Sequence, residues 1–459
     1  MDHRGTGRST RLDCVAAQAG TTGSPLGSDM DPSEVSACAQ DLEFKYGDLS
    51  SFSMTSAATD VATFVSEYTN AENTIIYGVS YGTALVERLM HFAPPAVTGY
   101  VLDGIATTSG VAADKYLYMS KWDVDFGEVG DAFLELCEDD QDCSAHFQAK
   151  DLSSTLENLI KKIDKDPNST CASLISNAKS VNPVQVNEPP SFPLRRTLGS
   201  LLADLSLRTL IPPVIYRLSR CASKDIDVLT QFVTAFNALI ETKYQDYAYR
   251  SLVLYGLIVF TEMWETPVPS IQDMKSRFTK VRISDGSTFQ LAPLYCAFTK
   301  EKSPACDKFN VGGYKASGII YERDEYWNKS ATIPKHASVL LLSGKLDPQT
   351  PNKYAEYLLD VLVGDNKELV TFDYATHGAM VSTPPVDGNL YGGDTCGMKI
   401  IASYVRNGGN LARLDKSCVD EMPAFDMTIP TEYQYSYLRT EDAYDGVYDR
   451  SEDTSEASG

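Results

Sequence analysis

The chain has 459 residues, enough for a large core, for two domains, or for one domain with a big insertion. Hydrophobic residues make up 43% and charged ones 22%, the balance of a soluble globular protein. A formal net charge of −22 argues against nucleic acid as a partner, because phosphate contacts need basic patches. The longest apolar run, Leu252 to Phe260, is nine residues, and a bilayer crossing needs about 20, so no membrane span is expected.

The acidity reads first as solubility, although an acidic protein also attracts cationic substrates such as peptide amino termini. Part of it is the C-terminal stretch, where Glu441 to Gly459 holds seven acidic residues against one arginine. The cysteines number ten, and several stand in close pairs: Cys137 with Cys143, Cys296 with Cys306, and Cys396 with Cys418. None has zinc-ligand spacing with a histidine nearby, so disulfides in an oxidising compartment are expected, with no metal and no cofactor. Cys14, Cys38, Cys171 and Cys221 cannot be paired from sequence, because four cysteines allow about three connectivities. Asn168 and Asn328 open glycosylation sequons, in keeping with secretion. The chain itself begins Met-Asp-His-Arg-Gly, which is no signal peptide.

In chain order, Ala57, Val61, Phe64, Val65 and Tyr68 recur at helical spacing. Thr74 to Tyr77 then reads as a buried parallel strand, and Ala84 to Phe92 as a helix. Tyr100 to Leu102 is a second strand, ending at Asp103-Gly104. This alternation predicts a parallel sheet with crossover helices. From about residue 111 to 330 the apolar residues keep helical period, as in Leu152, Leu156, Leu159, Ile160 and Ile163, or Leu229, Phe232, Val233, Phe236 and Ile240. Another stripe runs through Leu198, Leu201, Leu202 and Leu205. These are packing faces of a helical insertion. Strands return at Ser338 to Leu342 and Leu369 to Phe372, and no internal repeat is present.

Gly78-Val79-Ser80-Tyr81-Gly82 follows the first strand and precedes a helix, the setting of a nucleophile elbow. The turn is tight, so small residues should flank the serine, and the Tyr81 N–H at the helix start points at developing negative charge. A serine needs a base, and the base an orienting acid, in the chain order Ser, Asp, His. Asp347 lies in the loop after the third strand and His377 just after the fourth. His3 and His91 precede the acid, His146 lies in the insertion, and His336 comes before its strand; each reads as an ordinary surface or packing histidine. Asp103 is a weaker rival acid, since Asp-Gly there also reads as a plain turn.

Several segments resemble prolyl and tripeptidyl aminopeptidases of the α/β-hydrolase fold. These are Asp2-His3-Arg4-Gly5-Thr6-Gly7-Arg8-Ser9, Tyr77 to Thr83, and Leu346-Asp347-Pro348-Gln349-Thr350-Pro351 with Ala355. The stretch from Cys396 through Tyr404 and Gly408 to Cys418 is similar to the C-terminal region of the tripeptidyl-aminopeptidase branch, where paired cysteines close the domain. The resemblance implies a serine exopeptidase acting on peptides with a free amino terminus, and a Cys396–Cys418 disulfide. It also implies a cap carboxylate that holds the substrate ammonium. Glu262, at the end of an apolar run, is the residue expected to serve, or else a helix end reaching solvent. In that family a strand and a Gly-Gly-Pro-Gly loop, the source of a second oxyanion N–H, precede Asp-His-Arg-Gly. Here Met1 stands directly before Asp2, and the expectation is a shortened reading of a longer secreted protein that lacks its N-terminal strands.

The predicted organisation is a core in two parts, 1–110 and 331–431, with a helical cap at 111–330 and a poorly ordered acidic tail at 432–459. A serine aminopeptidase is the first reading. An esterase with the same triad is an alternative, as is a catalytically silent peptide-binding protein.

Overall fold

Four parallel strands make the sheet of the computed structural model: β1 (Thr74–Ser80), β2 (Val97–Ile105), β3 (Ser338–Gly344) and β4 (Lys367–Phe372), neighbours in that order. The structure describes residues 2–14, 30–69, 73–110, 117–178, 188–242, 250–286, 288–385 and 393–451. Each strand contains the predicted apolar run: β1 and β3 continue past it to Ser80 and Gly344, β2 continues to Ile105, and β4 ends with its run at Phe372. Successive side chains alternate between the faces. Tyr100, Leu102, Val339 and Leu341 pack to one side with Val86, Leu89 and Leu358, while Val101, Leu340 and Leu342 pack to the other with Ile400 and Tyr404. Being covered on both sides, β3 is buried along its whole length, which its unbroken apolar run anticipates. Register pairs Ser80 with Ile105 and Gly344 with Phe372, so the C-terminal ends of the strands and the loops that follow share one end of the sheet. That end is where open α/β sheets collect their functional groups.

The chain divides into two compact units, each assembled from separate stretches. The first holds the sheet and comprises Met1–Asp125, Asp246–Phe278 and Ser287–Pro423; the second comprises Phe126–Gln245, Thr279–Gly286 and Ala424–Gly459. The expected continuous insertion at 111–330 is therefore split between them. The helix Leu252–Glu262 explains part of this: it is apolar nearly all round, with Val253, Leu254, Leu257, Ile258, Val259 and Phe260 buried, the signature of an interior helix. On the helix Met54–Tyr68 the expected stripe is only half right. Ala57 and Val65 are buried, but Phe64 and Tyr68 stack on each other in the open.

In the second unit the helices Leu152–Lys165 and Ser223–Thr242 bury the predicted stripes. The acidic segment from residue 432, expected to be poorly ordered, instead continues the helix Thr431–Leu438 and is held as far as residue 451; residues 452–459 lie outside the described ones. The cause is Arg217, a fully buried guanidinium that needs acceptors on every side. It donates to Asp225 at 3.0 Å and to the carbonyls of Ala443, Asp442 and Gly446 at 2.6, 2.9 and 3.0 Å.

All ten cysteines are joined: Cys14–Cys38, Cys137–Cys143, Cys171–Cys221, Cys296–Cys306 and Cys396–Cys418. Among the described residues no helix is long and apolar enough to cross a membrane.

Candidate active site

Ser80 ends β1 at φ 57° and ψ −126°, a conformation few residues other than glycine adopt, and immediately starts the helix Tyr81–Met90. Such strain costs about 1–3 kcal/mol and survives only where the surroundings enforce it. Gly78 permits the turn, since a Cβ there would stand 2.4 Å from the Gly82 carbonyl oxygen. A Cβ on Gly82 would meet open space, so the expectation that both flanks must be small holds for space only at Gly78. Thr83, fully buried, straps the elbow: its hydroxyl donates to the Ser80 carbonyl at 2.7 Å and accepts the Ala106 N–H at 2.8 Å.

Tyr81 supplies a first-turn N–H, one of the donors a helix start leaves without an internal acceptor. Its ring is pinned by His3, whose Nε2 lies 3.1 Å from the Tyr81 hydroxyl, and burial pushes the phenol's pKa up. His3, expected to be an ordinary packing or surface histidine, is thus packed beside the elbow, and burial lowers its pKa.

The other two triad candidates meet directly. Asp347, fully buried, accepts the N–H groups of Gln349 and Thr350 at 2.9 and 3.0 Å and the Thr350 hydroxyl at 2.7 Å. Its Oδ2 is 2.8 Å from His377 Nδ1. An ionised carboxylate only accepts, so this contact places the ring proton on Nδ1 and leaves Nε2 as the basic nitrogen. Burial disfavours the imidazolium, but the hydrogen bond and charge of Asp347, helped by the charge of Asp103, outweigh it and raise the His377 pKa. Ser80 Oγ makes no hydrogen bond to His377, whose ring contacts are Asp347 and Thr350. The two loops are nonetheless adjacent: a Cβ on Gly378 would stand 3.7 Å from Val79 Cγ2. Reacting groups often close up only when substrate arrives.

Asp103-Gly104 is no plain turn, because β2 runs through it to Ile105. Gly104 has φ +62° and a Cβ there would stand 3.0 Å from His377 Cε1, so the ring lies against its bare backbone. Glu262 is not where a substrate ammonium could reach it. The residue is 1% exposed; Oε2 pairs with Arg88 at 3.3 Å and Oε1 accepts the Tyr321 hydroxyl at 2.7 Å. Both oxygens are taken and its charge is already balanced, although burial raises its pKa. The expected ammonium anchor is therefore corrected to an internal ion pair.

Farther along the elbow helix, Glu87 is buried, its Oε2 accepting the Thr107 hydroxyl at 2.9 Å and the Ser109 hydroxyl. Oε1 has no partner, beside a cavity of about 10 Å³ also lined by Arg88, His91 and Lys329. Burial raises the Glu87 pKa to about 7. Among the described residues, no three His, Cys, Asp or Glu side chains converge as metal ligands.

Sequence reasoning missed Thr83, Thr350 and the bonding of Asp103. For Thr350 a signal existed: a hydroxyl three residues after a loop aspartate is well placed to bond its carboxylate.

Residues 320–418, which include Asp347, His377 and the Cys396–Cys418 disulfide, match the family model described as TAP-like protein. No curated protein shows significant sequence similarity to the chain. An esterase (EaEST) from Exiguobacterium antarcticum is similar over 83% of this chain and 74% of its own, at 12% identity and a TM-score of 0.24. With a consecutive parallel sheet, a strained serine between strand and helix, and a TAP-like segment bearing an Asp–His pair at the same sheet end, the chain has the α/β-hydrolase fold, with a TAP-like region at residues 320–418.

Proposed function

We propose that the protein is a serine exopeptidase that cleaves peptides near a free amino terminus. The observation that carries the reading is the 2.8 Å Asp347–His377 pair beside a positive-φ serine at the end of β1. Ser80 Oγ attacks the scissile carbonyl carbon and its proton passes to His377 Nε2. The Tyr81 N–H faces the oxyanion. His377 then hands the proton to the leaving amine as the C–N bond breaks, giving an acyl-enzyme. Water attacks the ester, again losing its proton to His377, and the acid departs while Ser80 regains its hydrogen. Asp347 keeps the imidazole oriented and balances its transient charge. The TAP-like region supports the peptide substrate, and the five disulfides support work in an oxidising, extracellular setting. The same setting would suit glycosylation at Asn168 and Asn328, both exposed.

Burial of Glu262 favours a second reading, an esterase, because it removes the one named partner for an ammonium. Kinetics on matched peptides with free and acetylated amino termini separate the two. The exopeptidase should lose about 100-fold in kcat/KM on acetylation, the cost of leaving a buried anchoring charge unpaired. Ser80→Ala should abolish both turnover and fluorophosphonate labelling. Equal rates on the two peptides would overturn the exopeptidase and leave the esterase.

A further inference from the structure

Asp103 is fully buried at the C-terminal end of β2, and every contact it makes is as an acceptor. Oδ1 accepts the Ala379 N–H at 2.7 Å; Oδ2 accepts the Met380 N–H at 2.9 Å and the Tyr77 hydroxyl at 2.9 Å. Ala379 and Met380 are the second and third residues after His377, so these bonds tie the histidine's loop to the end of a central strand. Burial raises the Asp103 pKa, but the three donors converging on its carboxyl oppose this and favour the anion, because a protonated carboxyl would turn a donor of its own toward one of them.

A buried anion needs compensation, and among the described residues no lysine or arginine pairs with Asp103 or Asp347. The cation available to both is the imidazolium of His377. The charged or titratable groups facing that ring are Asp347, from the loop after β3, and Asp103, from β2; Tyr77 of β1 faces Asp103. The short helix Ala379–Ser382 adds none.

We propose that Asp103 is a positioning residue for His377, a second buried carboxylate that ties down the histidine's loop through two backbone N–H groups and stabilises the imidazolium formed when Ser80 gives up its proton. The proposal rests on reading Ser80 as nucleophile and His377 as base. It differs from a spare triad acid, since Asp103 engages the backbone beyond the histidine and makes no hydrogen bond to the ring.

The test is the fluorophosphonate labelling rate of Ser80 across pH in the full chain, with Asp103→Asn alongside the parent. Labelling needs neutral imidazole, so the rate climbs as pH passes through the His377 pKa. Removing a nearby negative charge favours the neutral ring, and the limb should move about one pH unit lower. The plateau should fall about tenfold, because the amide cannot serve all the donors and the loop loosens. A limb that stays in place, whatever the plateau does, overturns the proposal and leaves Asp103 a mere brace. If Asp103→Asn does not fold, Tyr77→Phe takes its place: losing one donor weakens the anion, and the limb should move the same way by less. With only five histidines in the chain, imidazole ¹⁵N titration of His377 reads the same shift without any chemistry. Labelling that survives Ser80→Ala or is unchanged by His377→Ala strikes the triad reading instead, and the ¹⁵N titration still decides Asp103.

Discussion

At the scale of single residues, Glu262 shows what a sequence can and cannot disclose. Its place at the end of an apolar run marks it as an unusual carboxylate, and it is one. Its partners, however, come from 174 residues earlier, at Arg88, and 59 residues later, at Tyr321, and nothing local announces them. The places of Ser80, Asp347 and His377 at strand ends were legible, because each has a distinctive neighbourhood. Asp103 was noticed as a rival acid, but its bonding to the histidine's loop was not, because an Asp-Gly pair looks the same in a turn and in a strand passing a histidine. Glu262→Gln leaves Arg88 with Asp324 at 3.3 Å, a partner that is one-third exposed. The variant should lose about 3 kcal/mol, the cost of breaking one partner of a buried pair, read as a lowered unfolding midpoint. Folded Glu262→Gln should still label at Ser80. Loss of labelling in folded protein would return Glu262 to the active site.

Among the elements, the strand positions were legible as short apolar runs bounded by glycine or polar residues, but their burial was not. β2 and β3 are buried, whereas in β1, read as a buried strand, Thr74 to Ile76 are half-buried and Tyr77 is exposed, because β1 lies at the edge of the sheet. Helix faces were read less evenly. Phe64 and Tyr68 obey the helical period yet lie in the open, since periodicity reports a face and not what covers it. The disulfides divide the same way. The three close pairs were visible as neighbours, while Cys14–Cys38 and Cys171–Cys221 depend on how helices pack. The longer loop should matter more. Loop-closure entropy assigns about 4 kcal/mol to Cys171–Cys221, with 50 residues of separation, and about 2 kcal/mol to Cys137–Cys143, with 6. Paired Cys→Ala replacements should therefore lower the midpoint of denaturant unfolding about twice as much for the first as for the second. Equal losses would mean that native packing around the sulfurs, and not the constraint on the unfolded chain, sets their value.

For the molecule as a whole, charge and burial act together on acidification. Lowering pH relieves the self-repulsion of a net −22 chain, and it favours the buried carboxyl of Glu87. That group's pKa rises on folding from an ordinary 4.5 to about 7. Its contribution is thus fully present below about 4.5 and is lost as pH climbs through about 7, a change of about 3 kcal/mol. Half-buried His3 and His91 work in the opposite sense, their lowered pKa values making acid costly. Glu87→Gln isolates the effect: the stability difference between parent and variant should change by about 3 kcal/mol between pH 4.5 and pH 8. A difference that does not vary with pH would mean the carboxyl titrates normally. The interleaving of the two units has a further consequence, for biosynthesis. The second unit takes its first stretch from residue 126 onward and its last from residue 424 onward, 298 positions later (424 − 126), so its parts leave the ribosome far apart in time. At roughly 5–20 residues per second the wait is about 15–60 s. Arg217 in particular precedes the first of its carbonyl acceptors, Asp442, by 225 positions (442 − 217), and waits for most of that time without them. Nor can the sheet-bearing unit finish early, because β3 and β4 follow most of the second unit's sequence. Neither unit is a vectorial folder. The helix Leu152–Lys165 can pack on Ile211–Arg220 once both are made, but the part of Ser223–Thr242 that meets Thr431–Leu438 stays open until translation is nearly done, and transiently exposed apolar surface of that kind is what chaperones shield.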